Sequence, residues 1–325
     1  MNRSAALALP AALLVPVLAL GAWSGPSDDD GETSYELADA GAVSDPVPVV
    51  VDTDLGGDDL AALALLLRHP EVRVEAITIA GTGLVGCDPG VDVVADLLTA
   101  LDQEPVPVAC GREEAGPGAL SMPVGWRETA ARGSGIPRAG STLEPSSVAA
   151  PELIGRLATR HPGLVVVALG PLTNLADLAG TSPRAFQHLA GIRAMGGSLD
   201  GPVVDGVAEW NAAADPASFD AVLSAAGVPL TLVPEDAVPD GTPPQLSAPL
   251  VRDVAAEVDY PRWWDLATAA SLVSPYSGTV RPGAWRLDPA APGRLVRTGS
   301  GGVDVVVELD EGYLEEEYAS VFVPA

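Results

Sequence analysis

Apolar and polar positions in this chain alternate in blocks rather than residue by residue. Val47–Asp52 is a β-branched run ending on a carboxylate, and Val74–Ile79, Val106–Ala109, Leu164–Leu169, Ile192–Met195, Leu230–Val233 and Val303–Leu309 are runs of the same kind. Continuous apolar runs of this length predict strands covered on both faces. Between them lie segments with helical patterning: Asp58–Arg68, closed by His69-Pro70, then Val91–Leu101, Pro151–Arg160, a short helix after the turn in "GPLTNLADLAG", Pro216–Ala225, Trp263–Val273 and Glu311–Ser320. The expectation is an α/β fold with a Rossmann-like, mostly parallel sheet and helices on both faces. Residues 111–148, rich in Gly, Pro, Ser and Arg, interrupt the alternation and predict a long surface excursion of the kind that forms lids and binding loops. No internal repeat is visible.

In open α/β sheets, ligands bind beyond the carboxyl ends of the strands. Asp52, Asp54, Thr82, Leu169 and Met195 fall at or just past such ends. Asp52, Asp54, Asp58 and Asp59 all lie in "VVVDTDLGGDDLAAL", residues 49–63. Acids that open a helix cap its free N–H groups, which accounts for Asp58 and Asp59. It does not account for Asp52 and Asp54 on the adjoining strand end. Carboxylates crowded on one strand–turn–helix fit a hard cation with oxygen ligands, Ca²⁺ or Mg²⁺. Gly56 and Gly57 permit the tight turn between them.

Composition narrows the chemistry. The chain has 325 residues, 47% of them hydrophobic, enough for one large domain or two small ones. Its net charge is −27, it contains no lysine, and its 17 basic residues are all arginine. Such a surface does not seek nucleic acid or anionic lipid. Without lysine, Schiff-base chemistry and a lysine-bearing phosphate loop are excluded.

The N-terminus, "MNRSAALALPAALLVPVLALGAWSG", has a basic start, an apolar stretch and small residues near Ala19-Leu20-Gly21. Residues 1–23 therefore predict a secretory signal peptide, with an uncleaved anchor as the alternative; Pro10 and Pro16 weigh against a spanning helix. Residues 24–46 are acidic and polar and predict a flexible linker, leaving 47–325 as the folded domain. The expected location is outside the cell, secreted or tethered to the outer membrane face, with membrane contact only through the N-terminal segment. In an exported chain Cys87 and Cys110 invite a disulfide; two buried thiols are the alternative.

At this point the chain resembles the nucleoside hydrolases. "DTDLGGDDLAAL" is similar to the family's aspartate-rich first signature, and "HPGLVVVALGPLTNLADL", "MGG", "AEWNAAADPAS" and "WWDLATAASLVSP" resemble its later ones, in family order over roughly 47–320. The resemblance implies one α/β domain that hydrolyses the N-glycosidic bond of ribonucleosides with a held Ca²⁺. It implies Asp54, Asp59, Asp265 and the Leu169 carbonyl as metal ligands, and Asp54 as the base that takes a proton from water. It implies Asp58, Glu209, Asn211 and Met195 around the ribose and Asp52 behind the metal turn. Three departures stand out. Thr82 replaces a common asparagine, Leu55 replaces the proline of the first signature, and Trp264 replaces a histidine that often precedes the metal aspartate. An indole at 264 stacks on a base and favours purines, as the larger rings. His69, His161 and His188 lie near helix ends, away from every motif. Two other readings remain: a ribosyl- or nucleoside-binding protein of the same fold with impaired turnover, favoured by Thr82 and Trp264, and, more distantly, a haloacid-dehalogenase-like phosphatase. The partner is a small nucleoside; the oligomeric state is open, a homo-oligomer included.

Overall fold

The computed structural model describes residues 33–34, 45–140, 143–225, 227–241, 252–254, 257, 262–273, 278–310 and 312–322. Segment 1–23, and all of 24–46 except residues 33–34 and 45–46, lie outside them. Glu32–Ala325 forms one compact unit. Among the described residues no helix is long and apolar enough to cross a membrane.

The strands are β1 (Thr33–Ser34), β2 (Val47–Thr53), β3 (Val72–Ile79), β4 (Val108–Cys110), β5 (Val165–Ala168), β6 (Gly191–Met195), β7 (Leu230–Val233), β8 (Gly278–Leu287) and β9 (Leu295–Leu309). They form one sheet in the order β1-β8-β9-β7-β6-β5-β2-β3-β4. From β4 to β7, and on to β9, every neighbour is parallel. The parallel part of the sheet starts in the middle at β2, runs outward through β3 and β4, then returns to β5 on the other side of β2. The crevice between β2 and β5 is thus the point where strand order reverses, the place where such sheets bind ligands.

Both faces of the sheet are covered, which is why the strands read as unbroken apolar runs. On β2, Val49 and Val51 join one core cluster with Leu60, Leu63, Ile77 and Trp263, while Val50 joins the other with Ile154, Leu175 and Phe219. The first cluster packs α1 (Gly57–Arg68) and α2 (Cys87–Ala100) against the sheet; the second packs α4 (Ala150–Arg160), α5 (Thr173–Thr181) and α8 (Pro216–Ser224).

The structure corrects several boundaries. The second helix begins at Cys87 rather than Val91 and carries Pro89 in its first turn, where a missing N–H costs nothing. The excursion at 111–148 holds a helix, α3 (Val124–Ala131). Short helices α6 (Pro183–Phe186) and α7 (Trp210–Ala214) are additional. The late strand starts at Leu295, not Val303, and pairs antiparallel with β8, which the apolar pattern does not reveal. Pro282, Gly283, Gly299, Gly301 and Gly302 dilute that hairpin's alternation. Thr33 and Ser34, inside the segment expected to be linker, pair antiparallel with Val280 and Thr279. The last two helices are α9 (Trp264–Val273) and α10 (Tyr313–Phe322).

Candidate active site

A cavity of about 400 Å³ opens at the carboxyl rim of the sheet. Its floor is acidic: Asp54, Asp58, Asp59 and Asp265 all line it. Asp54 follows the end of β2, Asp58 and Asp59 lie in the first turn of α1, and Asp265 lies in the first turn of α9. Two helix N-termini therefore point their free N–H groups at one place, which favours anionic side chains there.

Local bonds hold each carboxylate. Asp59 accepts from the Gly56 N–H at 2.9 Å and from the Thr53 hydroxyl. Asp58 accepts from the Asp265 N–H at 3.2 Å, and Asp54 from the Leu84 N–H at 3.1 Å. A Cβ at Gly83 would fall onto the Asp54 carboxylate, so this close approach requires glycine. Leu55 takes φ 64° and donates its N–H to Thr53 Oγ1 at 3.0 Å. Neither is open to proline, so the loss of the family's proline goes with a different turn backbone.

One oxygen each of Asp58, Asp59 and Asp265 lies within 4.8 Å of the others. All three side chains are buried, and Asp265 Oδ1 has no partner among the described residues. Burial pushes all four carboxyls up, and their mutual repulsion adds to this for Asp54, Asp58 and Asp265; Asp58 reaches about 7. Among the described residues, no arginine or histidine lines the cavity. Buried like charges with an orphaned oxygen and no basic neighbour fit a hard divalent cation. The group that converges includes Asp58, which the resemblance gave to the ribose. It does not include Asp54, whose carboxylate is turned to Leu84 on the same rim.

The other expected residues are placed as follows. Asp52 is buried behind the floor, where its Oδ1 accepts from Thr78 at 2.6 Å and Asn174 at 2.7 Å, and burial lifts it to about 6. Glu209 caps α7, taking the N–H groups of Asn211, Ala212 and Gly197, with burial raising it. The Asn211 amide donates to the Leu169 carbonyl at 2.7 Å and to the Met195 sulfur at 3.2 Å. Glu209, Asn211 and Met195 line the cavity; Leu169 and Thr82 are not among its lining residues. Thr82 instead shares a hydrogen bond with Thr173 at 2.7 Å. Trp264 lines the cavity, its indole N–H donating to the Glu235 carbonyl at 3.2 Å. Cys87 and Cys110 are joined as a disulfide. His69 and His161 close α1 and α4, and none of the three histidines lines the cavity.

Sequence reasoning missed the upper wall. The excursion contributes Met122, Trp126 and Ala130, and Trp126 packs edge-to-face on Trp210 with ring centroids 5.6 Å apart. Arg112 anchors the start of this segment, donating to Asp177 at 3.0 Å and to the fully buried Asp215 at 2.9 Å. Glu235, just past β7, was missed too; its signal is an acidic residue two positions past an apolar strand, a cue close to the one that marks Asp54.

The family model described as inosine-uridine preferring nucleoside hydrolase matches residues 49–313. The chain belongs to this family. It is similar to the pyrimidine-specific ribonucleoside hydrolase RihA of Enterobacter sp. (strain 638), 31% identical over 188 residues, 57% of this chain and 59% of that protein. RihA of Shewanella oneidensis is 30% identical over 189 residues, 57% of this chain and 58% of that one. The matched stretch thus spans under two thirds of these relatives' length. Among solved structures, a plant nucleoside hydrolase, the PpNRh1 enzyme, superimposes with a TM-score of 0.73 at 23% identity, covering 86% of this chain and 100% of that one. The purine-preferring ribonucleoside hydrolase from Gardnerella vaginalis gives 0.72 at 22%, covering 85% and 98%. These likenesses show the nucleoside hydrolase fold.

Proposed function

We propose that this protein hydrolyses the N-glycosidic bond of ribonucleosides to ribose and free base, with Ca²⁺ as its metal and purines preferred. The observation that carries the reading is the buried convergence of Asp58, Asp59 and Asp265, in a member of this family, beside the crevice where strand order reverses. Asp59 and Asp265 belong both to that convergence and to the ligand set the family implies, and they would hold the ion. The Leu169 carbonyl, which the family resemblance implies as a ligand, keeps a second lone pair beside its bond from Asn211 and would offer it to the ion. When bound, the ion lowers the pKa of a water and offers positive charge to ribose hydroxyls. Asp54 takes the proton from the attacking water. Asp58 and Asn211 orient ribose hydroxyls, and Met195 and the capped Glu209 shape the sugar's wall. The carboxylates around the sugar stabilise the cationic ring that forms as the C–N bond breaks.

The purine preference rests on the aromatic surfaces of Trp126, Trp210 and Trp264 around the cavity, because stacking rewards the larger ring. The pyrimidine-specific relatives set the opposite expectation, so base choice is a direct test. Full-length protein loaded with Ca²⁺ is assayed for ribose release from inosine, adenosine, uridine and cytidine. Trp264→Ala is expected to weaken inosine binding more than uridine binding. Equal losses, or a wild type that prefers uridine, overturn the purine reading. Binding of nucleosides without ribose release supports the impaired-turnover reading instead, for which the engagement of Thr82 with Thr173 speaks. We also propose that segment 1–23 directs export; mature N-terminal sequencing of the secreted or membrane fraction tests it.

A further inference from the structure

A ribosyl C–N bond breaks more easily when the leaving base receives a proton, and no histidine among the described residues lines this cavity to supply one. The cavity wall above the aspartate floor offers three other carboxyls. Glu209 is spent on three backbone N–H groups, and Glu257 is exposed. Glu235 differs from both. It stands two residues past the end of β7, in the first position of a 3₁₀ turn, and lines the cavity. Its position is fixed from several sides. Its N–H donates to the Gly197 carbonyl at 2.9 Å, and its carboxyl bonds the Ser198 hydroxyl. A Cβ at Gly201 would fall onto its Oε1, so glycine there leaves room for the carboxyl. The Trp264 indole donates to its carbonyl, which puts Glu235 on the same wall as the aromatic ring beside Asp265.

Resting on the hydrolase reading above, we infer that Glu235 is the acid that protonates the departing base. The C1′–N bond breaks and its electron pair goes to the base nitrogen. The Glu235 proton adds to the base. Water forms the new bond to C1′ and gives its proton to Asp54. Exchange with solvent returns both carboxyls to their starting states, so one nucleoside and one water become ribose and base.

The charges around Glu235 suit this task. Burial first, then Glu209 beside α7 and Asp236 in its own turn, push it up to about 7. Arg262, paired with Asp240 at 2.7 Å, and the Ser198 hydroxyl oppose that rise. Arg294 donates to Ser198 and to the Leu199 and Gly201 carbonyls. Near neutral pH the group is therefore present in both its protonated and its ionised form and can pass a proton.

The test compares two substrates of the Ca²⁺-loaded full-length protein. Inosine needs a proton on its leaving base; p-nitrophenyl β-D-riboside releases a phenolate that does not. Glu235→Gln is expected to lower kcat on inosine by about 100-fold or more, the usual contribution of a positioned acid, and to leave the nitrophenyl substrate nearly unchanged. Equal losses on both substrates, or no loss on inosine, overturn the assignment alone. A wild type that cleaves neither overturns the hydrolase reading and the assignment with it. Should Glu235→Gln not fold, the wild-type pH profile decides. An alkaline limb near neutrality with inosine and none with the nitrophenyl riboside supports the role, and the same limb on both refutes it.

Discussion

The backbone N–H of Asp265 donates to the Asp58 carboxylate at 3.2 Å, joining residues 207 positions apart. The contact brings the N-termini of α1 and α9 together and closes the acidic floor. Asp58, Asp59 and Asp265 each gain from a helix dipole but meet the others' charge in a buried setting, so the floor is electrostatically poised for a cation.

Asp59→Asn is expected to lose the ion. After dialysis the variant should retain far less Ca²⁺ than wild type and release no ribose. Its metal-free melting temperature should equal or exceed that of wild type, since one of several repelling charges is gone. Calcium content, turnover and melting are measured together; retained calcium with undiminished activity would contradict the assignment.

Stability should depend on pH in a defined direction. Asp58 lies at about 7 and Asp52 at about 6 in the fold, against an ordinary value of 3.8. Between those values the folded chain holds protons that the unfolded chain has released, so stability falls as pH rises through the window. The metal-free protein should melt at a lower temperature at about pH 8 than at about pH 5. Added Ca²⁺ should raise melting more at the higher pH, because ligands bind in their ionised form. Thermal melts with chelator and with Ca²⁺ at both pH values check this; a metal-free melting temperature that rises with pH would refute it.

Leu55→Pro, which restores the family's residue, should destabilise this protein. Proline cannot adopt φ 64°, and the substitution deletes the N–H that bonds Thr53 Oγ1. The cost should be at least ~1 kcal/mol, read as a lower denaturation midpoint with an unchanged slope. An unchanged midpoint would mean that the turn relaxes to a proline-compatible backbone.

The Cys87–Cys110 bond spans 23 positions and ties the start of α2 to the strand that leads into the cavity-lining excursion. In the chain-entropy model such a loop contributes about 3 kcal/mol. The double serine variant should lose about that much stability and weaken nucleoside binding more than calcium retention, since the wall moves before the floor. Denaturant melts and nucleoside titrations check both effects.

The sheet, its parallel core and the two covering layers were legible in the chain because period and run length report burial directly. The acidic cluster was legible because helix capping accounts for Asp58 and Asp59 but not for Asp52 and Asp54 at the adjoining strand end; in the fold Thr78 and Asn174 bond Asp52, and the Leu84 N–H bonds Asp54. The β8–β9 hairpin was not, because glycine and proline dilute its pattern. Glu235 and Trp126 were not either, since each is a single residue whose role depends on partners far along the chain.

By itself the sequence determined which segments become strands and helices, and that acidic residues cluster at the strand ends, for these follow from local periodicity and spacing. Tertiary structure alone decided which carboxylates converge. Asp265 reaches Asp58 and Asp59 only because α9 docks against α1. Asp54 is drawn aside by the Leu84 N–H, and Glu235 is set on the wall by Gly197, Ser198 and Trp264. The physical reason is that charge interactions and hydrogen bonds act over a few ångströms of space, and only the packed core sets those distances between residues as far apart in the chain as Asp58 and Asp265.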